Sequence, residues 1–181
     1  MAEGGHQSDL IVPVDDRNLP KAAIVHSISW KESHRTFCTP EFVEQHTPER
    51  QTAYLRGKMD GGSRFFLLTE EKTLGIVSVN GSLIEDLYVL PERQRMGYGT
   101  ELLRFAIRQC PDTPTLWILE NNRNAERLYR RMGFQPTGRV HAHPEGLSEI
   151  EFALARIPTH HKNDPPTSAV LCVSKKSNGL F

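Results

Sequence analysis

One passage constrains the fold more than any other: an apolar strand ends at Pro91, a charged turn follows, and Gly97-Tyr98-Gly99 opens an amphipathic helix. Glycine permits a tight turn and lets another group approach the backbone closely. The helix predicted at 97–110 carries a buried stripe of aliphatic residues, and a further apolar strand is predicted at 115–119. Because this order indicates two strands joined by a helical crossover, we expect an α/β sheet of mixed direction.

The rest of the pattern extends this sheet. Asn80-Gly81 lies between two β-branched runs and predicts a hairpin. Thr39-Pro40 and Thr47-Pro48 predict helix starts, a short helix and a longer one ending near 59. The remaining elements are strands at 10–14, 64–69, 74–79, 83–90, 134–139 and about 148–157, and helices at 18–33 and 122–132.

Charge is balanced overall, with 22 basic and 22 acidic residues, but it is divided along the chain. Residues 1–90 carry 9 basic and 13 acidic groups, whereas residues 91–140 carry 9 arginines and 5 acidic groups. The zero net charge argues against nucleic acid or an anionic membrane as the main partner. A cationic middle fits an anionic ligand, and an acidic first half fits a cationic one.

The cellular compartment is predicted from membrane-span, signal-peptide and cysteine patterns in the sequence. It contains no apolar run of about 20 residues, and the polar segment 1–9 does not resemble a signal peptide. Three cysteines, an odd count, make a disulfide framework improbable. We therefore expect a cytoplasmic protein.

The glycine-containing turn itself predicts an anion site. The first amides of a helix lack acceptors within it and lie at the positive end of the helix dipole. A dinucleotide fingerprint would need a third glycine where Leu102 stands, and a P-loop would need a lysine before Thr100 in place of Gly99. The pattern that remains is Gln/Arg-x-x-Gly-x-Gly, met by Gln94-Arg95-Met96-Gly97-Tyr98-Gly99.

This segment resembles the acyl-CoA pyrophosphate loop of the GNAT superfamily of N-acetyltransferases. About 25 residues later, Asn122-x-x-Ala125-x-x-x-Tyr129, closed by Gly133-Phe134, is similar to the other hallmark of that family. The resemblance covers roughly 10–157, with 10–60 matching only in element order, and it does not reach the tail at 158–181. It implies an α/β fold with a mixed, mostly antiparallel twisted sheet flanked by helices, followed by a C-terminal extension.

The resemblance also implies acetyl transfer from acetyl-CoA to an amine by direct attack, with no metal ion. Tyr129 would act as general acid towards the departing thiolate. The diphosphate would rest on loop amides, the pantetheine arm would pair with strand 83–90, and an amide near Leu87 or Tyr88 would polarise the acetyl oxygen. The residues expected to bind acetyl-CoA are Leu87, Tyr88, Val89, Gln94, Arg95, Met96, Gly97, Tyr98, Gly99, Thr100 and Asn122.

The sequence leaves the general base open. Glu85 is preferred, because the family often has an acidic residue near this point, while Asp86, Glu120 and a water chain are alternatives. By strand alternation, Glu85 and Asp86 are expected to face opposite sides of the sheet.

The acceptor is expected near Trp30, Ser33, His34 and Phe37, and a small-molecule amine is preferred. Two other functions stay open: acetylation of a protein or peptide N-terminus, and a non-catalytic acyl-CoA-binding sensor. A homodimer is also possible, through the apolar patch at 169–173.

Overall fold

The computed structural model of the chain describes residues 10–36, 38–142 and 148–155. The helices in these ranges are α1 (Leu19–His34), α2 (Pro40–Glu44), α3 (Pro48–Asp60), α4 (Tyr98–Gln109) and α5 (Arg123–Arg131). The strands are β1 (Ile11–Pro13), β2 (Arg64–Thr69), β3 (Thr73–Asn80), β4 (Leu83–Val89), β5 (Thr115–Leu119), β6 (Phe134–Ala142) and β7 (Ser148–Leu154). Phe37, the tail at 158–181 and its patch at 169–173 lie outside the described residues.

The strands form one seven-stranded sheet in the order β1-β2-β3-β4-β5-β7-β6. Neighbouring strands are antiparallel except β4 and β5, which are parallel, as the helical crossover between them predicts. The parallel pairing covers only Leu83 with Thr115 and Ile84 with Leu116. Beyond Ile84 the two strands are not paired, so the sheet is open at its centre. The predicted mixed, mostly antiparallel sheet is confirmed.

Each face of the sheet carries its own core. In β2, Phe65 and Leu67 pack beneath α1 and α3, while Phe66 and Leu68 belong to the core beneath α4. Successive side chains of a strand point to opposite faces, so a run of buried residues serves two cores. This explains why β2 lacks the alternating pattern of a strand with one wet face.

Local signals placed several element ends correctly. Thr39 and Thr47 cap α2 and α3, accepting hydrogen bonds from the amides of Phe42 at 3.3 Å and Arg50 at 3.4 Å. Strand β6 was predicted to end at residue 139 but continues to Ala142, because pairing with β7 extends beyond the bend at Gly138. None of the helices in the described ranges combines the length and apolar character needed to cross a membrane.

Candidate active site

A groove of about 690 Å³ lies where β4 and β5 diverge. Helix α1 forms one wall of this groove, and the turn before α4 forms the other wall together with α5. The lining residues are Ser29, Glu32, Ser33, Leu87, Tyr88, Val89, Gln94, Arg95, Gly97, Gly99, Thr100, Asn122, Asn124, Ala125, Arg127, Leu128, Tyr129 and Arg131. The structure therefore brings together the two sequence motifs that lie about 25 residues apart.

Strand β4 presents backbone groups to this groove. The amide of Leu90 donates to the carbonyl of Leu74 at 2.9 Å, so Leu90 and Tyr88 direct their backbone groups towards β3. Alternation then directs those of Leu87 and Val89 towards the opening beside β5. The side-chain amide of Gln94 donates to the Val89 carbonyl at 3.1 Å and ties the turn to the strand. An extended ligand could pair with the remaining groups of this edge.

The turn before α4 forms a nest of amides. Thr100 and Glu101 both donate to the Gly97 carbonyl, at 2.9 and 3.1 Å. The amides of residues 95–99 donate to no acceptor within the described part of the chain. Gly97 has φ +97°, a conformation that glycine adopts without a Cβ penalty. These amides and the α4 dipole make this end of the groove suitable for an anion.

Arg95 contributes both charge and backbone strain to this turn. Its φ is +63°, in the left-handed region that non-glycine residues rarely occupy, and its side chain lines the groove. The left-handed conformation costs an L-residue roughly 1–2 kcal/mol. Strain of this kind often accumulates where a ligand is held.

Replacing Arg95 with glycine should therefore stabilise the fold relative to replacing it with alanine. We expect Arg95→Gly to exceed Arg95→Ala by about 0.5–1 kcal/mol in unfolding free energy, because strain relief outweighs the extra chain entropy of glycine, roughly 0.4–1 kcal/mol. Urea unfolding measures the difference. The control pair is Arg93→Gly and Arg93→Ala, in a 3₁₀ turn without positive φ, where alanine should be the more stable. The same sign at both positions would contradict the strain argument.

Tyr129 lies in the last turn of α5. It is 7% exposed, lines the groove, and packs edge to face against Phe134 with ring centroids 5.9 Å apart. Burial raises the pKa of its phenol to about 12. The phenol therefore keeps its proton at neutral pH and holds a proton donor beside any anion that forms in the groove.

Asn122 both caps helix α5 and lines the groove. Its side-chain oxygen accepts a hydrogen bond from the Ala125 amide at 3.1 Å and caps the start of α5. The NH₂ group of the same carboxamide takes no part in this cap. One side chain can therefore hold the helix and still offer a donor to a ligand.

The two adjacent carboxylates of β4 do not face opposite sides, which corrects the expectation from alternation. Val77 pairs with Leu87 and Val79 with Ile84, so β4 carries one extra residue at this point. Such a bulge redirects side chains. Both carboxylates reach the Lys58 ammonium, Glu85 Oε1 at 2.7 Å and Asp86 Oδ2 at 3.5 Å.

Asp86 is the centre of a buried polar cluster. His26 Nε2 lies 3.2 Å from Oδ1, which also accepts the Tyr54 hydroxyl proton at 3.2 Å, while the Ser78 hydroxyl donates to Oδ2 at 3.0 Å. Burial raises the pKa of Asp86, but the hydrogen bond and charge of His26, with smaller effects of Lys58 and Ser78, lower it below its usual value overall. Asp86 is therefore an anion at neutral pH.

Some predicted site residues lie outside the groove lining. Met96 is 59% exposed, the Tyr98 hydroxyl donates to Glu70 Oε1 at 3.0 Å, and Glu120 is exposed just after β5. Glu85 is also outside the lining, since Ser63 and Lys58 hold its carboxylate.

Among residues expected to bind the acceptor, Ser33 lines the groove, whereas Trp30 stacks between His34 and His46.

Several residues of the groove were not among those predicted from the sequence. On α5 these are Asn124, Arg127 and Arg131, whose spacing of three and four residues places them on one helix face. On α1 they are Ser29 and Glu32, also three residues apart. Helical spacing could have grouped each set, but no local signal shows which helix face meets β4.

Sequence comparison relates the chain to known proteins. The profile of the Acetyltransferase (GNAT) family matches residues 24–134. A protein of Stachybotrys chartarum described as an acetyltransferase is 35% identical over 80 residues, which make up 43% of this chain and 32% of that protein. The matched stretch thus spans about a third of the length of that relative.

Solved structures share the fold at low sequence identity. YjaB from Escherichia coli, in its apo form, has a TM-score of 0.61 and 16% identity, over 80% of this chain and 95% of that chain. The PaiA N-acetyltransferase from Thermoplasma acidophilum, solved in complex with coenzyme A, has a TM-score of 0.58 and 17% identity, over 78% and 96% of the two chains.

Proposed function

The chain belongs to the GNAT acetyltransferase family, and from this premise we propose that it transfers the acetyl group of acetyl-CoA to a primary amine by direct attack. The observation that carries the proposal is the groove between β4 and β5. At one end it has amides that donate to no acceptor among the described residues, beside arginines, and deeper it has a buried, protonated phenol. These are the groups that a diphosphate and a thiolate leaving group require.

The acetyl-CoA site follows from the groups that line the groove. The amides of residues 95–99 and the guanidinium groups of Arg95 and Arg127 receive the diphosphate. The backbone of Leu87 and Val89 pairs with the pantetheine arm, and the Asn122 NH₂ group donates to one of its carbonyls. The coenzyme A complex of the PaiA enzyme supports a ligand of this kind on the shared fold.

The chemical step needs three groups from the chain. The Leu87 amide, directed into the opening, polarises the acetyl carbonyl as the amine attacks. Tyr129 then donates its phenolic proton to the sulfur as the carbon–sulfur bond breaks. A base must take the proton that the amine releases. Glu85 stays a candidate, although Lys58 and Ser63 hold its carboxylate away from the groove, so it would act through water.

The charges of the groove support a cationic acceptor, for which we prefer a small-molecule amine. Its arginines come from the turn before α4 and from α5, whereas its carboxylate, Glu32, comes from α1 on the opposite wall. An anionic cosubstrate and a cationic amine would therefore enter from different sides. Glu32 is also bound to Arg35 at 2.9 Å, and this pair is exposed enough to exchange partners.

The decisive experiment measures thiol release from acetyl-CoA by the purified chain with a chromogenic thiol reagent. Reactions contain no amine, or spermidine, kanamycin, lysine or a short peptide with a free N-terminus. We expect release that depends on one of the small amines. Release with the peptide alone would favour the N-terminal acetyltransferase. Absence of release with every amine, despite binding of acetyl-CoA in calorimetry, would overturn the enzyme proposal in favour of the sensor.

A further inference from the structure

Two side-chain atoms of α1 are buried without any hydrogen-bond partner in the described part of the chain. They are His26 Nδ1 and Ser29 Oγ, on residues that are each 2% exposed. A buried polar atom without a partner costs about 1–3 kcal/mol, so native structures seldom keep one without a reason. The two residues are three positions apart, which places them on the same face of the helix.

The partners of His26 determine which ring nitrogen carries the proton. His26 Nε2 lies 3.2 Å from Asp86 Oδ1, and Asp86 is a carboxylate that can only accept. Nε2 therefore carries a proton, and in the neutral ring Nδ1 presents a lone pair. Tyr54 and Ser78 donate to the same carboxylate and hold it in place. The unpartnered Nδ1 is thus a proton acceptor oriented by a buried anion.

Ser29 connects this histidine to the groove. It lines the groove, whereas His26, one helical turn earlier, lies behind it. Tyr88, which also lines the groove, packs edge-on against the His26 ring with centroids 5.0 Å apart. Tyr88 directly follows Leu87, whose amide is proposed to hold the acetyl carbonyl. The pair of unpartnered atoms thus lies beside the segment of β4 where the amine would attack.

We propose that Ser29 and His26 form a proton relay that takes up the proton released by the attacking amine. This inference rests on the proposed acetyl transfer. The cationic amine first loses one proton to solvent. As its nitrogen then bonds to the acetyl carbon and the carbon–sulfur bond breaks, a second proton passes to Ser29 Oγ. The serine proton reaches His26 Nδ1 through a bridging water molecule, because the two side-chain atoms do not bond each other directly. The thiolate takes the Tyr129 proton. Solvent then returns a proton to Tyr129 and removes one from His26, so the cycle is balanced.

The step places a positive charge on the His26 ring, so the charged groups that face this ring matter. Asp86 faces Nε2 and stabilises an imidazolium. The positive charge of Lys58 would repel an imidazolium, but its ion pairs with the carboxylates of Glu85 and Asp86 offset that charge. The titratable groups facing or electrostatically coupled to His26 are Asp86 and Tyr88 of β4, Tyr54 and Lys58 of α3, and His34 and His46.

Ser29→Ala and Ser27→Ala are expected to have opposite effects on kcat and on Tm. The Ser27 hydroxyl donates to the His46 carbonyl, whereas the Ser29 hydroxyl has no partner among the residues that the structure describes. We expect Ser29→Ala to lower kcat about 10- to 100-fold with unchanged KM for acetyl-CoA and an unchanged or higher Tm. Ser27→Ala should lower Tm and keep kcat. Wild-type kcat in Ser29→Ala would overturn the relay.

His26→Gln adds a readout that a structural role would not move. Glutamine can still donate to Asp86 but has no basic lone pair. The variant should lower kcat/KM about 100-fold and should change the pH profile of kcat/KM, which a loss of packing alone would not do. A wild-type pH profile in His26→Gln, with a changed profile in Glu85→Gln, would assign the base to Glu85. Both tests use the amine that is active with the wild-type chain, so a wild type inactive with every amine refutes the proposed function instead.

Discussion

We expect Tyr129→Phe to lower kcat about 100- to 1,000-fold while acetyl-CoA binds with nearly unchanged affinity. General acid catalysis contributes roughly 10²–10⁴ to a rate, and phenylalanine removes only the proton donor. The ring would keep its contact with Phe134, so the fold should be retained. Single-turnover kinetics and calorimetry with acetyl-CoA measure the two quantities separately.

The pKa of Tyr129 adds a second test. Burial raises the phenol pKa to about 12, and an acid is active below its pKa. Loss of this proton should therefore cause no decline in kcat between pH 7 and pH 10. Turnover of Tyr129→Phe equal to that of the wild type would remove Tyr129 from the role of acid and leave the thiolate to be protonated by water.

Gly99→Trp should weaken binding of acetyl-CoA at least about 100-fold, which corresponds to about 2.7 kcal/mol. Gly99 lines the groove, and a Cβ there would lie 3.5 Å from Leu128 Cδ2 and 3.9 Å from Val89 Cγ2. These are ordinary contacts, so the backbone accepts a side chain. Leu128 and Val89 both line the groove, however, so an indole attached at this position enters the space proposed for the diphosphate.

The matched control is Gly57→Trp on α3, an exposed position where a Cβ would meet no atom of the described residues within 4 Å. Calorimetric titration with acetyl-CoA should give the wild-type Kd for Gly57→Trp and no measurable binding for Gly99→Trp. Circular dichroism would verify that both variants are folded. Wild-type affinity in folded Gly99→Trp would place the diphosphate elsewhere and contradict the assignment of the loop.

Much of the fold could be predicted from short sequence segments. The Thr-Pro pairs at 39–40 and 47–48 predicted helix starts that are confirmed by side-chain caps. Asn80-Gly81 predicted the β3–β4 hairpin, in which Gly81 has φ +57°. These signals succeed because capping and tight turns depend on a few adjacent residues. The roles assigned to the loop and to Tyr129 stay predictions, although the structure does bring Tyr129 and most of the loop residues to one groove.

The sequence by itself determined the order of the elements, the crossover that makes β4 and β5 parallel, and the turn at Gly97, because backbone preferences and apolar spacing act over a few residues. Tertiary structure decided which side chains meet. The extra residue that brings Glu85 and Asp86 to Lys58 depends on how β4 pairs with β3. The contact of His26 with Asp86, 60 residues away, depends on α1 packing against the sheet. Long-range pairing follows from the joint burial of two cores, a property of the whole chain that no local window of sequence contains.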